Sequence, residues 1–458
     1  MKLVDRHIIK KSNVHYKDLL ELLHKSKNLY NAACYMVRQH YFRMSNQQYT
    51  EDLINEDKKY ANYQLINKYM KELKNPDYNA LPINTSQEVL KQVDKAYISF
   101  FKLLKLKQQG LYNEDVDIPG YKNKNGFNLL VFNRMFISDI YLKKGLLKIP
   151  KTDIVLKINK LKTEFSQLRV LLQGKDIVLE FIYDKEIETA KGLDVNKFYS
   201  IDLGLNNLAT VASNCSQSFI ISGKPVKQIN QKYNKEKAHL QTKLNIKEQI
   251  YNLEGLDKSV ELSDEEYKKL QKKHSKDVRY TSKQIKNIGT KRKYKIEDYF
   301  HKSTRYIVNQ AVENHIGTII IGQNKGWKQD INIGKKNDQN FVDVPFAKFI
   351  NMLTYKAELK GIKVVLTEES YTSKASFIDN DFIPVYDEEN HVEYEFSGKR
   401  IKRGLYKSKE GILMNADLNG AFNIMRKIIP NVTVEGLDLA DKGFLFNPQR
   451  IDLSKQNH

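Results

Sequence analysis

Tyr199-Ser200-Ile201-Asp202-Leu203, then Gly204 to Asn207, then Leu208-Ala209-Thr210-Val211-Ala212 and Ser218-Phe219-Ile220-Ile221 read as three short strands joined by turns. The meander holds one carboxylate inside an apolar run. Strand alternation sends Ile201 and Leu203 to one side and Asp202 to the other, so the acid emerges near a strand end beside a turn. Downstream, a charged helical stretch from about Gln228 to Glu313 is broken near Gly255 and Gly289, and its Lys/Glu alternation describes a solvated face. Thr318 to Ile321 then reads as a short buried strand, Pro345 to Lys360 as a helix, Ile362 to Leu366 as a strand and Asp417 to Ile428 as a helix.

The order β-β-β-α-β-α-β-α is how a ribonuclease H-like fold is strung, with insertions. Upstream, after an extended start (Leu3, Val4, Ile8, Ile9), apolar residues recur at helical spacing from about Tyr16 to Leu106. From Asp117 the pattern changes to short alternating runs, Ile137 to Leu142, Ile154 to Ile158 and Phe165 to Leu172. The last run turns at Gln173-Gly174-Lys175-Asp176 into Ile177 to Ile182, which predicts a small antiparallel barrel or sheet.

The 458 residues suit about three domains at roughly 150 residues each. Lys+Arg 76 against Asp+Glu 55 leaves a formal charge of +21, which points to a polyanionic partner, nucleic acid first. Only Cys34 and Cys215 occur, so one chain can write neither a disulfide framework nor a CxxC…CxxC zinc site, and a reducing compartment fits. The first residues have no apolar signal core and the apolar runs are too short to span a bilayer, so the expectation is a cytoplasmic protein, nucleoid-associated when bound to DNA, with no membrane partner.

Asp417, Ala421, Ile424 and Ile428 fall on one helical stripe, which turns the acid inward. Glu368-Glu369 ends the strand Lys363 to Thr367. Taken singly, Asp202 reads as a turn former, Asp417 as a carboxylate favoured in a first helical turn and the glutamates as a solvated strand end. Together, a central strand, a later strand and a final helix converge acids on one edge. Such oxygen-rich sites hold two magnesium or manganese ions about 4 Å apart, for phosphodiester hydrolysis. The sequence has no GxxxxGK[ST], GxGxxG or HExxH motif for a competing chemistry.

These residues resemble the TnpB-type proteins of bacterial insertion sequences, related to the small type V CRISPR effector nucleases. Matching stretches are Asn28-Leu29-Tyr30-Asn31-Ala32-Ala33, Leu81-Pro82 through Leu90 to Phe100-Phe101, and Ile118-Pro119-Gly120-Tyr121-Lys122. More specific are Ile201 to Thr210, Tyr371-Thr372-Ser373, and Asn415-Ala416-Asp417-Leu418-Asn419-Gly420-Ala421-Phe422-Asn423-Ile424. The resemblance implies an RNA-guided DNA endonuclease, an α/β multidomain protein whose partners are a guide RNA from the transposon end and target double-stranded DNA. It implies a wedge β-barrel over 1–15 and 112–190, an inserted α-helical recognition domain over 16–111, and an RNase H-like (RuvC-type) nuclease domain over 191–458. The last carries the long helical segment at 225–314.

The sequence departs from that family twice. Most members place the middle glutamate at the end of the strand that here reads Ile319-Ile320-Ile321-Gly322, where Gly322 stands instead. Some relatives carry it on the following strand just before Tyr-Thr-Ser, a role for Glu369, with Glu368 second. The family's four-cysteine zinc ribbon is also missing, and 376–411 reads as a cysteine-free, zinc-free insertion. The resemblance thus implies Asp202, Glu369 and Asp417 as the catalytic and metal-holding residues, with two Mg2+ or Mn2+ ions.

For nucleic-acid contacts, Lys325 and Lys328 suit phosphates and Trp327 suits stacking on a base. Arg400, Lys402, Arg403 and Lys407 suit a phosphate track. Two other readings stand beside the endonuclease: a nuclease-inactive RNA-guided DNA-binding repressor, for which Gly322 argues, and a RuvC-like junction nuclease or transposase acting alone.

Overall fold

A computed structural model of the chain describes residues 1–45, 60–158, 161, 164–257, 259–323, 344–385, 393–402, 404–434, 437 and 448–454. The chain divides into two units, Met1–Lys185 and Glu186–His458. Lys325, Trp327, Lys328 and Arg403 lie outside the described residues.

The first unit runs β1 (Lys2–Ile9), α1 (Tyr16–Ser45), α2 (Tyr63–Glu72), α3 (Pro76–Asn79), α4 (Ile83–Gln108), β2 (Leu130–Asn133), α5 (Asp139–Lys143), β3 (Leu146–Lys148), β4 (Val155–Lys157), β5 (Gln167–Gln173) and β6 (Asp176–Asp184). The helical pattern read between Tyr16 and Leu106 is α1 to α4. Gln173 pairs with Asp176 across a two-residue loop, and Gly174 supplies the positive φ of +64° that a tight hairpin needs. Among the described strands, hydrogen bonding gives an antiparallel sheet in the order β1-β6-β5-β2, with β3 and β4 paired separately, which is the sheet of the two forms read from the pattern. The run Ile137 to Leu142 also differs from its reading as a strand: Ser138 starts the short helix α5, Ile140 is 69% exposed, and Gly145 follows at φ +70°. Alternation there did not encode burial.

Two of the quoted motifs meet in this unit. Asn31 on α1 donates through Nδ2 to the Lys122 carbonyl (2.9 Å) and accepts from the Lys122 amide (2.8 Å). Lys27 Nζ donates to the Lys124 carbonyl at 2.8 Å, and Lys122 Nζ lies 4.4 Å from the centroid of Tyr30. The extended Ile118–Lys122 stretch is thereby tied along α1.

The second unit runs β7 (Asp194–Leu203), β8 (Asn207–Ser213), β9 (Phe219–Ser222), α6 (Lys224–Thr242), α7 (Ile246–Glu254), α8 (Asp264–Lys273), α9 (Lys283–Glu313), β10 (Ile316–Gly322), α10 (Phe346–Glu358), β11 (Lys363–Thr367), β12 (Lys399–Lys402), β13 (Leu405–Lys407), β14 (Leu413–Asn415), α11 (Ala416–Ile428) and β15 (Gln449–Ile451). Its main sheet has the order β11-β10-β7-β8-β9-β15. β7, β10 and β11 are parallel, β8 reverses, and β15 adds a parallel strand outside β9. The meander and the two later strands stand where the sequence pattern put them. β15 was not read from the sequence, and Gly289 lies inside an unbroken α9.

Alternation sorts the sheet into two faces. Tyr199, Ile201, Leu203, Ile319 and Ile321 pack with Phe300 of α9 and Phe349 of α10. Ile320 and Ala212 pack on the other face with Leu418, Ala421, Phe422 and Ile424 of α11. Ser200 shares that second face, and its Oγ donates to the Ala421 carbonyl at 2.7 Å. Asp202, two residues on, therefore faces α11. The unit is an α/β sandwich, and among the described residues no helix is long and apolar enough to cross a membrane.

Candidate active site

At the end of β7, Asp202 stands opposite Thr210 of β8. Across from it on α11 is Gly420, where an added Cβ would come within 3.1 Å of Asp202 Oδ2, so the helix approaches this closely because position 420 has no side chain. Burial first, then the charges of Glu369 and Asp417, push the Asp202 carboxyl well above the usual carboxylate range, while Arg400 acts in the opposite direction.

Asp417 sits in the first turn of α11, held by the N-cap Asn415, whose Oδ1 accepts from the amides of Asp417 (3.0 Å) and Leu418 (3.2 Å). That position also favours an anion electrostatically. Ala421 and Ile424 of the predicted stripe are buried, whereas Ile428 is 40% exposed at the frayed end. Both oxygens of Asp417 are engaged: Oδ1 accepts from Arg400 Nη2 (2.9 Å) and Oδ2 from Asn207 Nδ2 (2.5 Å). Asn207 Oδ1 in turn accepts from Arg450 Nη1 of β15 at 3.1 Å. A cavity of about 610 Å3 opens here, lined among others by Asp202, Asp417, Arg400 and Arg450.

Glu369 follows β11, and its position explains Gly322. Gly322 ends β10 beside Thr367, and a Cβ built on it would lie 2.8 Å from Glu369 Oε2 and 2.6 Å from Ile424 Cδ1. The carboxylate from the neighbouring strand thus occupies the space into which a side chain at 322 would grow. Glu368 is turned away: its Oε2 accepts from the Ser370 amide (2.8 Å), and its Oε1 pairs with Lys427, whose side chain is 7% exposed. Burial pushes the Lys427 ammonium down to about 8.

The structure brings Asp202, Glu369 and Asp417 into electrostatic contact. Among the described residues, however, no three His, Cys, Asp or Glu side chains are arranged to hold a metal ion as they stand, and Arg400 and Asn207 engage the oxygens of Asp417. Arg400, expected on a phosphate track, pairs with Asp417 in this structure. Lys402 and Lys407 are exposed on the β12–β13 hairpin, as a phosphate track requires.

Several residues were missed as site builders. Asn419 donates to the Ala375 carbonyl (2.7 Å) and accepts from the Phe377 amide (2.9 Å); Asn423 donates to the carbonyls of Thr372 (2.9 Å) and Ala375 (2.7 Å). These fully buried amides clasp the Tyr371–Phe377 segment to α11, and through it fix Glu369 beside Gly322. Their signal was two asparagines four apart on an apolar helix, where a buried amide must find partners. Asn423→Ala is expected to lower unfolding free energy by about 2–3 kcal/mol, since it strands a buried carbonyl. Urea denaturation of the full chain measures this, and a change below about 0.5 kcal/mol would mean that the clasp carries no weight.

The family model described as "Probable transposase" matches residues 181–328, and that described as "Cas12f1-like, TNB domain" matches residues 346–424. The chain is 23% identical over 460 residues to the TnpB-like protein ORF457 of Acidianus two-tailed virus, covering 92% of this chain and 85% of that protein. It is 32% identical over 133 residues to the CRISPR-associated endodeoxyribonuclease Cas12f1 of Sulfoacidibacillus thermotolerans, which is 29% of this chain and 26% of that protein. Among solved structures, a Cas12f1–sgRNA–target DNA complex aligns at TM-score 0.46 and 14% identity, over 89% of this chain and 82% of that one. The two family matches are therefore to a transposase model and to a Cas12f1-like domain model, each over part of the second unit or its border. The chain is thus similar along most of its length to a TnpB-like protein and, over a shorter stretch, to a small CRISPR-associated endodeoxyribonuclease.

Proposed function

We propose that this chain is an RNA-guided DNA endonuclease of an insertion sequence, cutting target DNA beside a short adjacent motif by metal-dependent phosphodiester hydrolysis. The observation that carries the reading is the meeting of Asp202, Glu369 and Asp417 at one sheet edge, with Glu369 filling the space beside Gly322. The relatives give it independent support: one named as TnpB-like, another as an endodeoxyribonuclease. The silent DNA-binding alternative drew on Gly322 as a missing acid, and the neighbouring carboxylate takes that argument away.

The donor set is all carboxylate, the oxygen chemistry that magnesium and manganese accept. It also includes a buried acid whose charge is disfavoured by its neighbours, which suits a cation. Asp202, Glu369 and Asp417 would hold two such ions. When bound, these supply an activated water and stabilise the leaving oxygen. Arg400 is 44% exposed on its hairpin, so it is able to leave Asp417 and meet a phosphate of the entering strand. Asn207, steadied by Arg450, keeps Asp417 oriented meanwhile.

In this reading 1–15 and 112–190 act as the wedge, 16–111 as the recognition insert and 191–458 as the RuvC-type nuclease. Guide RNA from the transposon end pairs with one strand of double-stranded DNA, while protein reads the adjacent motif. Lys325, Trp327, Lys328, Lys402 and Arg403 would line the path of the strands, beside a zinc-free insertion at 376–411. The test is protein coexpressed with its native downstream RNA, then incubated in magnesium with a plasmid library bearing a guide-matched target beside randomised flanks. Guide-dependent cutting with a flank preference is expected. Guide-dependent binding without any cutting would overturn the nuclease reading in favour of the repressor.

A further inference from the structure

The charged stretch that reads in sequence as a solvated face folds into facing helices, α6 and α9, with a cleft of about 310 Å3 between them. Four cations, Lys232, Lys291, Arg292 and Lys295, line it against a single acid, Glu236. The cleft shares no lining residue with the acid cavity at Asp202 and Asp417. Arg292 is built in: its Nε donates to Oδ1 of the fully buried Asn230 at 2.7 Å, and its guanidinium lies 5.1 Å from the centroid of Tyr233. A guanidinium held in place on an aromatic ring loses less freedom on meeting an anion than a loose one.

The lysines are different. Lys232, Lys291 and Lys295 are exposed, and among the described residues none of them is ion-paired. Lys291 and Lys295 stand one helical turn apart, like charges that repel across i,i+4, with Arg292 beside them. Their separation along the axis is about 6 Å, at 1.5 Å per residue, comparable to the step between successive phosphates of a strand. A fold gains nothing from this arrangement, whereas a bound polyanion relieves the repulsion.

We propose that the α6–α9 cleft is a second phosphate-binding site, gripping the sugar–phosphate backbone of a bound nucleic acid apart from the acids that cut it. The inference rests on the nucleic-acid-guided reading above and adds a site to it. Guide RNA and target DNA offer the same phosphodiester chemistry, and the experiment separates them.

The test uses the full chain carrying Lys232→Ala, Lys291→Ala and Lys295→Ala. A control loses the same charge from exposed lysines of α8: Lys268→Ala, Lys269→Ala and Lys272→Ala. Kd is measured against salt in two arms, guide RNA on free protein and guide-matched duplex on the RNA-loaded protein. Poly(U) RNA and a random duplex are titrated alongside.

The cleft variant is expected to lower the slope of log Kd against log salt by about two units in one arm, at roughly 0.7–0.9 per lost phosphate contact, with the control unchanged. A drop in the first arm assigns the cleft to the guide, and in the second to the target. An unchanged slope in both arms, or an equal drop in the α8 control, overturns the proposal. If wild type still cuts in that case, the nuclease reading survives alone. If wild type neither binds guide nor cuts, that reading fails, and the poly(U) and random-duplex slopes still judge the cleft.

Discussion

Asp202→Asn is expected to abolish DNA cutting, leave guide-dependent DNA binding within about twofold, and raise the melting temperature of the protein in a chelating buffer. The first effect follows from loss of a ligand charge at the sheet edge, where about 100-fold or more in rate is at stake. The last follows from the electrostatics already in the fold. Burial and the charges of Glu369 and Asp417 raise the Asp202 carboxyl above its unfolded value, so its charged form opposes folding at neutral pH.

The sign is definite. A raised acid stabilises the folded state only as pH falls through its folded value, so the penalty is fully present above that value. Asparagine keeps the shape and drops the charge. The gain should be about 2 °C or more at neutral pH, what roughly 1 kcal/mol does to a domain of this size, and it should shrink on acidification. A loss of both cutting and binding would make Asp202 a structural residue. No rise in melting temperature would mean that its charge is already compensated.

The second large effect concerns which strand delivers the middle acid. Glu369→Ala should reduce cutting about 100-fold or more, while Glu368→Ala, which breaks the pair with Lys427, should cost mainly stability. Gly322→Ala should resemble Glu369→Ala in activity, because the new methyl needs the space held by Glu369 Oε2 and Ile424 Cδ1. Gly322 has no positive φ, so the substitution carries no backbone strain and any loss reports displacement of the carboxylate. The double change Gly322→Glu with Glu369→Ala returns an acid to that space from the other strand and should recover part of the activity. Full cutting by Gly322→Ala would sink the placement of Glu369; loss in Glu368→Ala with none in Glu369→Ala would move the assignment by one residue.

Much of this was legible because it rests on local periodicity. Strand alternation around Ile201 and Leu203 set the face of Asp202, and the apolar run Ile319 to Ile321 marked a strand buried on both sides. Helical spacing put Asp417 near the sheet. What escaped depends on contacts distant in sequence. Nothing about Arg450 indicates that it reaches Asn207, and nothing in Lys399 to Lys402 indicates that Arg400 turns back onto Asp417 rather than outward. The choice between barrel and sheet was open for a related reason: alternation reports one buried face per strand, not whether the outer strands β1 and β2 find each other. At Ile137 to Leu142 even the period misled, since a five-residue helix is too short to show its own.

The strand β15 has a temporal consequence. It pairs with β9 across most of the second unit's sequence, and Arg450 comes with it. A ribosome releases the meander β7 to β9 first and α11 much later, and β15 follows α11. Asn207 and Asp417 are thus both made before Arg450, the arginine that steadies them. The wall of the acid cavity is therefore among the last parts of the second unit to be made, after helices α6 to α9.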